Sequence, residues 1–198
     1  MKSVLISIKP KYCVLIVTGQ KTIEVRKTKP RIDTPFKCYI YCTKDKSKKL
    51  PLHGKVIGEF VCDKITEFEG EFWDDETYER IQTIIKDGER YYEYGENEYE
   101  TVATNEDEKY EENWLRKQSC VSWEEMRKYV GAGITEFYGW HISNLVIYQE
   151  PNEIDEFYKA CDKPPFTDCT WCIEKRDCVC QRLKRPPQSW CYVEELRS

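Results

Sequence analysis

The sequence predicts a small α+β protein, a mixed β-barrel with peripheral helices. Three observations lead there. Short runs alternating apolar and polar residues recur along the chain, which is the period of strands. Only a few segments carry a helical pattern. The element order also lacks the regular strand–helix–strand alternation of a parallel sheet.

Taken in order, Val4, Ile6 and Ile8 alternate with Ser3, Leu5 and Ser7, the pattern of a half-buried strand. Pro10 suits a first helical position, and residues 12–17 read as a short apolar helix. Gly19 is placed to stop that helix, because glycine takes the left-handed cap conformation without penalty. In residues 22–26, Ile23 and Val25 point one way and Thr22, Glu24 and Arg26 the other. Phe36, Cys38, Ile40 and Cys42 alternate with Lys37, Tyr39 and Tyr41, giving another strand, followed by a basic turn over 44–49. Residues 54–65, GKVIGEFVCDKI, read as one longer strand in which Gly58 marks a bulge.

The middle of the chain changes character. Asp74 or Asp75 is positioned to cap a helix carrying Tyr78, Ile81, Ile84 and Ile85, with Gly88 at its end. Residues 87–113 hold eleven acidic and two basic residues, a net of −9, so the rest of the chain carries +4 of the total −5. This tyrosine-rich tract has no clear period and reads as a surface insertion. Ser122, with Glu125 three residues on, is a capping-box start for a helix reaching about Gly131. GITEFYGWHISNLVIYQEP reads as one long aromatic and β-branched strand, residues 152–158 as a short helix, and RPPQSWCYVEEL as the last strand.

Composition bounds the function. At 198 residues with 40% hydrophobic content, the chain is long enough to bury a core. A net charge of −5 argues against a generic nucleic-acid binder, although the acidic tract accounts for that sign. The opening MKSVLISIKPK has too short and interrupted an apolar run for a signal peptide, and no stretch reaches the ~18 apolar residues of a membrane span. A cytoplasmic protein is expected. Eleven cysteines in a reducing compartment are not expected to pair, and the odd number fits poorly with a closed set of bridges.

Residues 18–27, TGQKTIEVRK, set the main functional question. A strand displaying Glu24 and Arg26 just after Lys21 is either a structural ion-pair array or the wall of a ligand site. Lys21 and Glu24 are expected to neutralise each other in the absence of a ligand. Arg26 presents a planar fork suited to phosphate or a base edge.

This stretch, preceded by ISIKPKY, resembles the start of the ASCH domain family, a branch of the PUA-like superfamily. The resemblance rests on a strand ending near Lys-Pro, a helix, a glycine, and then Lys-x-x-Glu-x-Arg, matched by Gly19, Lys21, Glu24 and Arg26. FYGWHISNLVIY and RPPQSWCYVEE also resemble ASCH proteins common in bacteria and their prophages. The resemblance covers roughly residues 1–65 and 120–195. It implies a PUA-like pseudo-barrel with a cleft between barrel and helix, near which Lys21, Glu24 and Arg26 lie with Lys9 or Lys11 close by. In such a cleft Tyr12 and Trp140 are candidates to stack a base, and Ser189 to hydrogen-bond a ligand.

The resemblance implies RNA or modified-nucleoside binding. Some small ASCH proteins instead remove an acyl group from a modified cytidine, using a lysine and a threonine three residues later. Here position 24 is Glu, which puts a hydroxyl nucleophile in doubt. The alternative chemistry, in a nucleoside amidohydrolase or a ribonuclease, takes Glu24 as general base on water and Lys21 as oxyanion stabiliser. A third reading is a protein-interaction module whose partner meets the acidic insertion. His53 and His141 are too few and too distant in sequence to form an acid–base pair, and His141 reads as structural.

A second constellation lies at Cys161, Cys169, Cys172, Cys178 and Cys180. The Cys169-x-x-Cys172 spacing lets both thiolates reach one ion, so four of these five are expected to hold a structural zinc, with Cys191 an alternative completion. A filled four-thiolate site leaves no open position for catalysis. Cys13, Cys38, Cys42, Cys62 and Cys120 read as small core residues. The expected organisation is a barrel over 1–150 with the insertion at about 87–113, a cysteine-rich segment over 151–184, and a final strand over 185–198 returning to the barrel.

Overall fold

The computed structural model describes residues 2–44, 53–72, 82–86, 89–93, 114–131, 133–160 and 182–196. Its elements run β1 (Lys2–Ile8), α1 (Pro10–Val17), β2 (Ile23–Arg26), β3 (Phe36–Cys42), β4 (Val56–Cys62), β5 (Ile65–Phe72), β6 (Gln82–Lys86) and β7 (Glu89–Glu93). They continue with α2 (Trp114–Ser119), α3 (Trp123–Val130), β8 (Gly133–His141), β9 (Ser143–Asn152), a 3-10 turn (Ile154–Glu156) and β10 (Trp190–Glu194). This is the predicted α+β class: the described residues form two five-stranded sheets and three short helices, with one parallel strand pair among antiparallel ones.

The chain divides into two compact units that interleave in sequence. The first comprises residues 1–17, 35–62 and 143–198, and its sheet has the order β10-β1-β3-β4-β9. β1 is an interior strand, antiparallel to β10 (Ile6 opposite Trp190) and parallel to β3 (Ile8 opposite Cys42). That position corrects the expectation of a half-buried strand, since Ser3 through Ile8 are all buried. One face of the sheet packs Leu5, Tyr39, Tyr41 and Val193 against Phe157 and Leu183, with Tyr39 and Phe157 edge to face at 5.0 Å. Successive residues point to opposite faces, so Val4, Ile6, Cys38 and Ile40 line the other side. α1 begins at Pro10 as expected and buries Cys13 and Ile16.

Polar clasps hold the rim of this unit. Lys37 Nζ lies 3.1 Å from Glu59 and 3.0 Å from Glu195. Tyr148 Oη donates to Glu59 at 2.6 Å, and the Leu196 amide donates to Tyr39 Oη at 3.0 Å. Together they fasten the chain beyond β10 to the sheet.

The second unit comprises residues 18–34 and 63–142, with the sheet order β2-β8-β5-β6-β7. Gly139 of β8 is where the two flanking strands close in. A Cβ there would lie 2.9 Å from Phe68 and 3.0 Å from Ile23. Ser122 caps α3 by accepting the Glu125 amide at 3.2 Å, as its sequence position predicts.

Several expectations are corrected. The strand expected over 54–65 is β4, which ends at Cys62; after Asp63 and Lys64 a separate strand, β5, begins at Ile65. The long strand after Gly133 is also two, β8 and β9, which belong to different sheets. Ile84 and Ile85 lie in strand β6, paired with β5 and β7, because adjacent β-branched residues satisfy a paired strand as readily as a helix face. The expected helix over 152–158 is only a 3-10 turn. α2 was not foreseen. The bulge at Gly58 is present: the register shifts between Val56 and Gly58, and a Cβ on Gly58 would sit 2.3 Å from the Val146 carbonyl. Part of the acidic insertion forms β7, and the rest lies outside the described residues.

Candidate functional site

The charged stretch forms one cluster inside the second unit. Gly19 sits at φ +73, with nothing within 4 Å of where a Cβ would be, so backbone conformation is the reason for glycine there. Beyond it Lys21 enters β2 and its ammonium finds three acceptors: the carbonyls of Ile23 at 2.8 Å and Ser119 at 2.5 Å, and Glu24 Oε2 at 3.2 Å. An ammonium has three protons, so Lys21 is fully satisfied. Glu24 is paired at both oxygens, with Oε2 facing Lys21 and Oε1 lying 2.8 Å from Arg26 Nη2.

All three charges are removed from solvent: Lys21 is 1% exposed, and Glu24 and Arg26 are 6% exposed each. The expected neutralisation of Lys21 by Glu24 is present, and Arg26 completes a chain of plus, minus and plus. Taking such charges out of water costs several kcal/mol per ion before their attraction offsets it. Ser119, the last residue of α2, is 0% exposed, and its Oγ has no hydrogen-bond partner among the described residues. α2 is tied to β2 a second time, where the Thr22 amide donates to Gln118 at 2.8 Å.

β8 backs this cluster. Glu24 pairs with Trp140 and Arg26 with Tyr138, so these four side chains share one face of the sheet. Trp140 is 0% exposed and packs against its surroundings rather than offering a ring to solvent. The half-buried Tyr138, with Lys29 Nζ 5.4 Å from its ring centre, is the aromatic of that face which reaches water. On the opposite face, His141 Nε2 and Thr66 Oγ1 are hydrogen-bonded at 2.8 Å, matching the structural role read for that histidine.

The other candidate ligand residues belong to the first unit. Lys9 is exposed at the end of β1, where its carbonyl accepts the Tyr12 amide at 2.9 Å and so begins α1. Tyr12 is half-buried, with Lys11 Nζ 4.5 Å from its ring centre. The Ser189 carbonyl accepts the Ser7 amide at 2.8 Å, which places Ser189 beside the same end of β1. Lys21, Glu24, Arg26 and Trp140 thus gather in one unit, and Lys9, Tyr12 and Ser189 in the other. Sequence reasoning missed Ser119, and no signal pointed to it because α2 itself has no capping motif.

The candidate zinc ligands Cys161, Cys169, Cys172, Cys178 and Cys180 lie outside the described residues. Among the described residues no group of histidine, cysteine and carboxylate side chains is arranged to hold a metal. Cys13, Cys38, Cys42 and Cys62 are buried, as expected. Cys120 differs: it is half-buried in the turn after α2 at φ +52, and its thiol donates to Gln20 and Lys117 carbonyls. Burial pushes the half-buried Cys191 thiol up to about 11.

No family model matches the chain, and no curated protein matches it. Solved structures do. The crystal structure of ASCH from Zymomonas mobilis aligns with a TM-score of 0.51 and 16% identity, covering 98% of this chain and 88% of that one. A tyrosine-to-phenylalanine mutant of that protein gives 0.51 with 92% of its chain covered, and a serine-to-alanine mutant gives 0.50 with 89%, both at 16% identity and 98% of this chain. The mixed sheets and short helices therefore form an α+β protein. More closely, the chain has the ASCH fold. No helix among the described residues is long and apolar enough to cross a membrane.

Proposed function

We propose that this protein binds RNA or a modified nucleoside, with Lys21, Glu24 and Arg26 building the ligand site in the second unit. The observation that carries this reading is the buried ionic chain itself. A fold that keeps three charged side chains, and a Ser119 hydroxyl with no partner among the described residues, together at such low exposure accepts a desolvation cost that apolar residues would avoid. Such departures from a well-packed interior concentrate at functional sites. The ASCH fold, with its position among PUA-like proteins, makes RNA the ligand class to test first.

For the hydrolase alternative, Glu24 would act as general base with both oxygens already facing cations, and Lys21 as an oxyanion donor would have to exchange a backbone carbonyl or Glu24 for the substrate. The test is fluorescence anisotropy with short single-stranded RNAs, calorimetry with free nucleosides including an N-acylated cytidine, and mass spectrometry of the same mixtures after incubation. Saturable binding with unchanged ligand supports the reading. Absence of binding overturns it. Turnover that disappears in Glu24→Gln replaces it with the hydrolase.

A further inference from the structure

β9 is an edge strand of the first sheet and pairs with β4 alone among the described strands. The opposite edge of that sheet is covered. The Glu194 amide donates to the Tyr158 carbonyl at 2.9 Å and the Ala160 amide to the Tyr192 carbonyl at 3.1 Å, so residues 158–160 run along β10. The outer side of β9 has no such cover: among the described residues, no backbone hydrogen bond reaches it. An open row of amides and carbonyls is a template for another strand, which proteins commonly blunt with lysines. β9 contains no lysine.

Three features prepare this edge. Residues 143–149, SNLVIYQ, carry no charge, and Val146 is 50% exposed between the half-buried Leu145 and Ile147. The strand is fastened to β4 on either side of Val146, by Ser143 Oγ donating to the Val61 carbonyl at 2.8 Å and Tyr148 Oη donating to Glu59 at 2.6 Å. Val146 and Ile147 pair in regular register with Glu59 and Gly58, and the register shifts against β4 lie to either side of them. The charge sits at one end only. Glu150 is followed by Glu153, Asp155 and Glu156, and among the described residues only Glu153 meets a cation, Lys55 at 2.7 Å.

We propose that β9 pairs antiparallel with β9 of a second copy of this chain, about a two-fold axis at Val146, joining the two first sheets edge to edge. The charge distribution selects this occupant and its direction. A parallel copy would set the two acidic ends side by side. An antiparallel copy sets each acidic end beside the uncharged residues 142–144 of the other. At ~3.4 Å per residue, the two Glu150 positions then stand roughly 27 Å apart. A two-fold axis normal to the sheet pairs residues of the same face, so the exposed Val146 meets its counterpart and Leu145 meets Ile147. A foreign strand bearing charge along its length would find no countercharge over 143–149. One strand pair is a small interface, so the dimer is a concentration-dependent one. The pairing is independent of the ligand site in the second unit.

The test is sedimentation velocity over a concentration series, comparing the wild-type chain with Val146→Lys and with Val14→Lys, the same change at a similarly exposed position of α1. Circular dichroism melting checks that both variants keep the fold. Expected is a monomer–dimer equilibrium for the wild type, weakened on the order of a hundredfold by Val146→Lys, the scale of like charges brought together at an interface. Val14→Lys should leave it unchanged. Hydrogen exchange of the wild type needs no variant: the amides of residues 145–148 should exchange more slowly as concentration rises. A dimer that Val146→Lys leaves intact overturns the proposal, and one lost in Val14→Lys alone assigns the interface to α1. A wild-type chain that stays monomeric throughout also overturns it, and leaves the edge to an extended segment of a different protein.

Discussion

The ammonium of Lys21 sits 2.5 Å from the carbonyl oxygen of Ser119, the last residue of α2. The final carbonyls of a helix have no partner within it, and a cation there meets the negative end of the helix dipole. α2 has only six residues, too few to persist on its own propensity. Lys21 therefore does two jobs at once: it terminates a helix and holds Glu24 in place for Arg26.

Removing Lys21 leaves Glu24 with a single cation and strips donors from two buried carbonyls. Lys21→Met is expected to destabilise the protein by about 3–5 kcal/mol, read from urea unfolding. Lys21→Arg should recover little of this, because a planar guanidinium cannot direct its protons to three acceptors placed for an ammonium. Full stability in Lys21→Met would mean that the ionic chain is dispensable to the fold.

Gly58→Ala drives a methyl group to 2.3 Å from the Val146 backbone carbonyl, a neighbour that cannot swing aside. A loss of about 1–3 kcal/mol is expected, as for overpacking elsewhere. Gly19→Ala meets no atoms, and its cost should be limited to the roughly 1–2 kcal/mol of the left-handed conformation. Thermal melting of the two variants side by side distinguishes the two causes.

Alkaline pH should weaken the first unit. Burial raises the phenols of Tyr39, Tyr41 and Tyr148, and the Glu59 carboxylate raises Tyr148 further. Burial raises the Cys191 thiol from its ordinary 9.0 to about 11. Unfolded, these groups lose their protons at lower pH, so the native state binds more protons than the unfolded one in that window, and stability falls as pH rises. The Cys191 contribution is whole below pH 9 and is lost between there and about 11. The phenol contributions fade above ~10. Urea titrations from pH 8 to 11 should show the decline. Tyr148→Phe should flatten it, at a cost of about 1 kcal/mol at neutral pH for the lost bond to Glu59.

Elemental mass spectrometry of the purified chain is expected to find one zinc, held by four of Cys161, Cys169, Cys172, Cys178 and Cys180, and a chelator should unmask about four thiols. Freely reactive thiols with no metal bound would remove zinc from the account.

Much of the fold was legible because its signals are local. Pro10 and Gly19 bracket α1, Ser122 caps α3, and the alternation from Phe36 to Cys42 sets β3 to the residue. What escaped depends on distant partners. The break at Asp63 and Lys64 and the one at Ile142 are short polar or apolar pauses inside β-rich runs, and nothing nearby shows that the flanking strands join different sheets. Ile84 and Ile85 suit a helix face or a paired strand equally, and β5 and β7 decide for the strand. At the site, Lys21, Glu24 and Arg26 were readable from their spacing, whereas Ser119 and the burial of Trp140 come from chain nearly a hundred residues or more away.

The pairing of Lys2 with Glu194 joins strands at opposite ends of the described chain. During synthesis β1 leaves the ribosome long before β10, its partner on one side, so the first sheet waits with one edge of β1 uncovered. Loop closure over such a separation is slow. The second unit draws all its strands from residues 18–142 and can assemble in that interval. Nascent chains stalled shortly before residue 190 should then carry a finished second unit beside an open, chaperone-dependent first one, which makes the last strand the step that commits the molecule to its native state.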